Sequence, residues 1–134
     1  SPSLIEFEIT ENVLVQDVEK VGVILDKFAS MGISFSIDDF GTGYSSLSYL
    51  KQLPIDVLKI DKSFIDHCTS EGNDQVIVRS ILSICTELGL TSVAEGVETE
   101  EQQKQLQAMG CDLLQGYLYS RPVRADELSI MLSN

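Results

Sequence analysis

The sequence predicts an α/β chain built on a parallel sheet, and two observations carry that reading. Short apolar runs alternate with amphipathic helical stretches along the whole chain. Three helix-to-strand joints also read alike: Met31-Gly32-Ile33, Leu88-Gly89-Leu90 and Met109-Gly110-Cys111. Glycine enters the left-handed conformation that ends a helix, and strands linked through helices lie parallel in one sheet. Five such units form either an open doubly wound sheet or part of a (β/α)8 barrel, and periodicity leaves both open. A complete barrel takes about 250 residues; these 134 residues amount to a little over half of one.

The first strand is read over residues 4–9 and the first helix over 13–30, where Leu14, Val18, Val21, Leu25 and Phe28 recur at spacings of four and three. The second strand spans 33–37. A glycine-rich loop over 40–44 leads into a short helix, 45–52, which Pro54 stops. The third strand spans 56–60, followed by a polar loop over 61–73. The next helix sets Ile77, Ile81, Ile84 and Leu88 on one face. The fourth strand spans 90–94. Thr99 and Gln102 are spaced as a capping box, which starts a helix running to about Met109. The fifth strand spans 111–115 and a last helix 126–132.

Charge narrows the function. With 21 acidic and 9 basic residues the formal net charge is −12. Nucleic-acid polymers are bound by basic patches that displace counterions, so such a polymer is not expected as a partner. A phosphate ligand would need locally placed positive charge, from metal ions or a few cations. Cys68, Cys85 and Cys111 make an odd set without Cys-x-x-Cys spacing, which fits a reducing compartment and buried packing roles. The single histidine, His67, stands in a polar loop with no nucleophile implied beside it. There is no apolar run long enough to cross a membrane and no secretory leader pattern.

The informative residues end the strands. Glu8 and Glu11 close the first, Asp38 and Asp39 the second, Lys59 and Asp61 the third, Glu95 and then Glu98 the fourth, and Gln115 the fifth. If the strands belong to a barrel, those ends share one rim, where active sites form. Carboxylates gathered there oppose one another's ionisation. Hard divalent cations relieve this, because Mg²⁺ and Mn²⁺ prefer oxygen ligands. Two ions about 3.5–4 Å apart can clamp the attacking and leaving oxygens of a phosphoryl displacement. Singly, each acid also reads as a solvated loop residue. Lys59 is harder to dismiss, because an ammonium inside Val57-Leu58-Lys59-Ile60 needs a partner. The loop of Phe40, Gly41, Thr42, Gly43 and Tyr44 lacks the P-loop pattern and fits a mobile cover over a metal site or a contact to a partner chain. The apolar residues after it, Leu47, Tyr49, Leu50 and Leu53, suit a subunit contact or the core.

Five motifs together resemble the EAL-domain family: Glu8-Ile9-Thr10-Glu11; Asp38 to Leu47, reading DDFGTGYSSL; Leu58-Lys59-Ile60-Asp61; Ala94-Glu95-Gly96-Val97-Glu98-Thr99; and Gln115-Gly116-Tyr117 with Arg121-Pro122. Their order and spacing also agree, across residues 4–132. The resemblance implies about five βα units of a TIM-type (β/α)8 barrel that hydrolyses cyclic-di-GMP to linear pGpG with two Mg²⁺ or Mn²⁺. It implies metal ligation by Glu8, Asp38 and Asp39, with Asp38 shared between the ions. Lys59 would hold the nucleophilic water, Glu95 would assist the metal and water network, and Gln115 would hydrogen-bond in the same site. Glu11 would anchor the glycine-rich loop, which couples dimer contact to metal binding. Tyr117, Pro122 and Glu98 would lie near the substrate.

The letters Glu-Ala-Leu occur nowhere in the chain. The resemblance therefore implies that residues 1–134 are the C-terminal part of the domain, with the family's first metal-binding glutamate and a following asparagine in an N-terminal segment outside them. The expectation is an active, cytoplasmic parent carrying upstream sensory or signalling domains, and a fragment inactive alone that pairs its exposed edges with another copy. The competing reading is a non-catalytic module that binds cyclic-di-GMP or a protein partner.

Overall fold

The computed structural model describes residues 1–14, 18–42, 47–70 and 72–133. A five-stranded parallel sheet organises them: β1 (Glu6–Thr10), β2 (Ser34–Phe40), β3 (Val57–Ile60), β4 (Thr91–Glu95) and β5 (Leu113–Gln115). The helices between them are α1 (Glu11–Leu14), α2 (Val18–Ser30), α3 (Leu47–Leu50), α4 (Lys62–Ile65), α5 (Asn73–Leu88) and α6 (Glu100–Ala108), and α7 (Ala125–Met131) follows β5.

Strand order settles the choice that periodicity left open. The strands lie in the sequence β1-β2-β3-β4-β5 with no reversal, whereas a doubly wound sheet reverses direction at a switch point. Right-handed crossovers that always advance the same way put the connecting helices on one face and leave the other face as a barrel interior.

Register assigns side chains to the two faces. Ile9 pairs with Ile37, Ile37 with Leu58, Leu58 with Ser92, and Ala94 with Leu114. This set faces the helices, and Phe35, Ile37, Leu58, Ile60 and Ala94 are almost wholly buried there against Val78, Ile81, Leu82 and Cys85 of α5. The alternate residues, Glu8, Asp38, Lys59, Glu95 and Gln115 among them, take the inner face.

Two aspartates lock the strand starts. Asp56 Oδ2 accepts from the Phe35 N–H at 3.0 Å. Asp112 Oδ2 accepts from both the N–H and the hydroxyl of Ser92, at 2.8 and 2.7 Å. That second lock explains why β5 begins at Leu113 and not at Cys111.

Other boundaries moved for physical reasons. The loop read over 61–73 contains α4, because Asp61 caps a helical turn by accepting from the Ser63 N–H. β2 runs on to Phe40, so Asp38, Asp39 and Phe40 belong to a strand. Leu4 lies in a 3-10 turn ahead of β1. The helix read over 13–30 is described as α1 and α2, and residues 15–17 lie outside the described residues, as do Gly43, Tyr44 and the first residues of the helix read over 45–52. On α5 the buried stripe is Val78, Ile81, Leu82 and Cys85, with Ile77, Ile84 and Leu88 flanking it.

Candidate metal and active site

The site is built at the C-terminal tips of the strands, around Lys59. Its ammonium donates to Glu8 Oε1 at 2.7 Å and pairs with Glu95 Oε1 at 2.8 Å, with Asp38 Oδ1 at 3.9 Å. Lys59 is 6% exposed. Burial opposes its charge, but the hydrogen bonds it donates to Glu8 and Glu95 outweigh that and hold its pKa above the ordinary value. Three strands, β1, β2 and β4, thus bring carboxylates to one buried cation on β3. Asp38, Asp39 and Glu95 form a second grouping, with one carboxylate oxygen from each lying within 4.8 Å of the others. Glu8 stands outside that trio, on the Lys59 side.

A break in the strand makes the trio possible. Side chains alternate along a strand, so consecutive Asp38 and Asp39 should face opposite ways. Asp39 instead has φ 54, the left-handed region, and the β2–β3 register shifts between Ile37 and Phe40. The irregularity keeps both carboxylates at the site and returns Phe40 to the helix-facing side, paired with Ile60. Phe40 is 2% exposed. Its reading as part of a mobile cover is therefore corrected: it is a core residue that anchors the loop's first turn.

The electrostatics follow from crowding. The charge of Asp38 is the main cause that raises the Asp39 pKa, with burial and Asp61 adding to it. Burial raises that of Glu95, and Lys59 offsets part of the rise. Carboxylates held above their ordinary range, with hard oxygen donors a few ångströms apart, suit a divalent cation. The donor set fits Mg²⁺ or Mn²⁺ and offers no soft ligand.

Below the loop, Glu11 is 2% exposed. It accepts from the Gly41 N–H at 3.3 Å and from the Tyr49 hydroxyl at 3.2 Å, tying the loop's start to α3. Thr42 turns back on the site through its hydroxyl, which donates to the Asp39 carbonyl at 2.7 Å. Tyr49, read as a possible subunit contact, is buried in the core.

Beside the acidic cluster opens a cleft of about 350 Å³ lined by Lys62, Glu95, Gly96, Glu98, Gln115 and Tyr117. Gln115 sits opposite Glu95 in register. A neighbouring cleft of similar size includes Tyr117, Arg121 and Pro122, and the Arg121 guanidinium lies 4.5 Å above the Tyr117 ring. Gly116 closes the tip of β5 against the backbone of Val97, where any Cβ would overlap. Gln115 and Tyr117 line both clefts, with Glu98 in the first and Pro122 in the second. Lys62 does not stand out in the sequence, and Asp61 reads there only as a strand end. Their signal was the Asp-x-Ser cap directly after a strand, which places a lysine at the rim.

Comparison with known proteins agrees with this geometry. Residues 1–122 match the family model described as EAL domain. The chain is 48% identical over 127 residues to MucR of Pseudomonas aeruginosa, a bifunctional diguanylate cyclase/cyclic di-GMP phosphodiesterase, covering 95% of this chain and 18% of that protein. It is 45% identical over 119 residues to the cyclic di-GMP phosphodiesterase NbdA of the same organism, covering 89% and 15%. Among solved structures, the MucR phosphodiesterase in complex with c-di-GMP superposes with a TM-score of 0.91, covering 95% of this chain and 51% of that one. A manganese/c-di-GMP complex of BlrP1 from Klebsiella pneumoniae superposes with a TM-score of 0.83 at 39% identity, covering 90% and 31%. The chain thus spans about half of the solved MucR domain chain and under a fifth of the two curated relatives.

Proposed function

The chain belongs to the EAL-domain family, and from that premise we propose that residues 1–134 are the C-terminal part of an EAL domain that hydrolyses cyclic-di-GMP to linear pGpG. The observation that carries this reading is the convergence of Asp38, Asp39 and Glu95 within 4.8 Å, beside a buried lysine held by Glu8 and Glu95. Asp38 and Asp39, with Glu8 from the Lys59 side, would hold two Mg²⁺ or Mn²⁺, and Glu95, which completes the carboxylate trio, would share in the metal and water network. When bound, the ions supply Lewis-acid stabilisation of the phosphoryl oxygens.

The chain's own residues do the rest. Lys59 keeps its proton throughout the neutral range and orients the attacking water through an Nζ N–H. Gln115 hydrogen-bonds in the same site. Tyr117, Pro122 and Glu98 form the wall against which the dinucleotide lies. Glu11 fixes the glycine-rich loop through Gly41, so that a contact made by the loop in a dimer bears on Asp38 and Asp39. No described helix is long and apolar enough to cross a membrane, and the reducing setting implied by the three free cysteines favours a cytoplasmic placement.

Turnover of cyclic-di-GMP with Mn²⁺ tests the reading, measured on the complete domain and on residues 1–134. The complete domain is expected to produce pGpG and the isolated chain to be inactive. Asp38→Ala should lower kcat of the complete domain by at least about a thousandfold, the scale of losing a charge-stabilising group at the reacting centre. Tight binding of the dinucleotide without turnover would favour the non-catalytic module instead.

A further inference from the structure

We infer that Lys62 is a positioning residue that fixes the Glu98 carboxylate in the cleft wall, and that Gly96 lacks a side chain so that Lys62 can reach it. The inference rests on the proposed function in one respect: Glu98 meets the ligand.

Lys62 opens α4 directly after the tip of β3, and Glu98 follows the tip of β4. The Lys62 ammonium bridges the two tips, 2.6 Å from Glu98 Oε1, while Asp66, one turn along α4, steadies it at 3.2 Å. Gly96 lies beneath this bridge. Its φ of 71 favours glycine, and a Cβ there would come within 2.8 Å of Lys62 Cβ and overlap Cγ and Cδ. Conformation and space therefore demand glycine independently.

Glu98 is also held from behind. Its N–H donates to Gln102 Oε1 at 2.8 Å, the side chain that completes the α6 capping box. One carboxylate oxygen is engaged by Lys62, and the residue lines the cleft with Glu95, Gln115 and Tyr117. Without the lysine, the half-exposed Glu98 carboxylate would lose its ion-pair partner, would be repelled by any phosphate in the cleft, and would turn to solvent. With it, Glu98 is a fixed acceptor. Such an acceptor selects N–H or O–H donors, which a nucleobase edge or a sugar hydroxyl presents and a phosphodiester does not.

The complete domain with Mn²⁺ provides the test. Lys62→Met should raise KM for cyclic-di-GMP about tenfold, the effect of a lost hydrogen bond to a charged group, with kcat falling much less. Lys62→Arg should recover most of the loss. Gly96→Ala, which alters no charge, should raise KM in the same way, and the double variant should be no worse than the poorer single one. The KM for bis(p-nitrophenyl) phosphate, a diester with neither base nor sugar, should stay where it was in Lys62→Met. An unchanged KM for cyclic-di-GMP, equal losses on both substrates, or multiplicative effects in the double variant would overturn the inference. Absence of turnover by the unsubstituted domain would instead remove the hydrolase reading. The bridge is then judged by hydrogen exchange of the amides of residues 97–99, which should quicken in Lys62→Met and Gly96→Ala; equal exchange overturns it.

Discussion

At the scale of single residues, Asp39 shows how the site is strained into place. A left-handed backbone and a like-charged neighbour both work against it. Its pKa is raised above the ordinary 3.8, chiefly by the charge of Asp38. The folded chain therefore binds the Asp39 proton more readily than the unfolded chain, and stability falls as pH climbs from about that ordinary value through the raised one. At neutral pH the ionised group is a net cost. Asp39→Asn should raise the melting temperature at pH 7 by roughly 1–2 °C, the size of a partly screened charge pair. The gain should vanish below the ordinary carboxylate pKa, where Asp39 is protonated in both states. Thermal melts across pH check this, and a gain independent of pH would mean that repulsion from Asp38 is not its source. The acids at the strand ends were legible in the sequence because charge at the end of an apolar run stands out. The backbone irregularity that turns Asp39 toward the site was not, since Asp-Asp-Phe carries no glycine to announce a positive φ.

At the scale of elements, the strands are registered by side chains as well as by the ladder. Asp112 is held below its ordinary pKa by the Ser92 N–H first and then by the Ser92 hydroxyl. For a lowered carboxylate, the stabilisation is complete above the ordinary value of 3.8 and is lost as pH falls through the lowered one. Ser92 is nearly fully buried, so Asp112→Ala leaves its N–H and hydroxyl without an acceptor, at a cost of about 1–3 kcal/mol. Urea unfolding at pH 7 should show a lower midpoint with an unchanged slope. The loss should shrink in strongly acidic solution, and a midpoint equal to that of the unsubstituted chain would show that water replaces the carboxylate. Such locks explain why element types were readable while their edges were not. The hydrophobic period marks a helix or a strand, but an Asp that reaches back to the previous strand decides where the ladder starts. The same holds for α4, four residues too short for a periodic signal and set by the Asp61 cap.

At the scale of the whole molecule, winding order does what no single motif can. Because the strands advance β1 to β5 without reversal, the helices that connect them lie on one face. Every second residue of each strand, from Glu8 across to Gln115, then faces the same interior. The sequence carries the alternation but not the direction of winding, so alternation alone fits two architectures and strand order decides between them. That one-sidedness has a consequence for the 134 residues taken alone. β1 and β5 are the edges of the described sheet, with Phe7 and Leu113 substantially exposed on them and Leu4 and Ile5 beside β1. Unpaired N–H and C=O groups flanked by apolar side chains are a template for further strands. Residues 1–134 in isolation should therefore self-associate, and their mass by light scattering should rise with concentration. Phe7→Lys and Leu113→Lys, which set charge on the two edges, should lower that mass together more than either does alone, because each protects a different edge. A monomeric mass at every concentration would mean that the exposed edges are protected in another way, and the expectation of pairing between copies would fall with it.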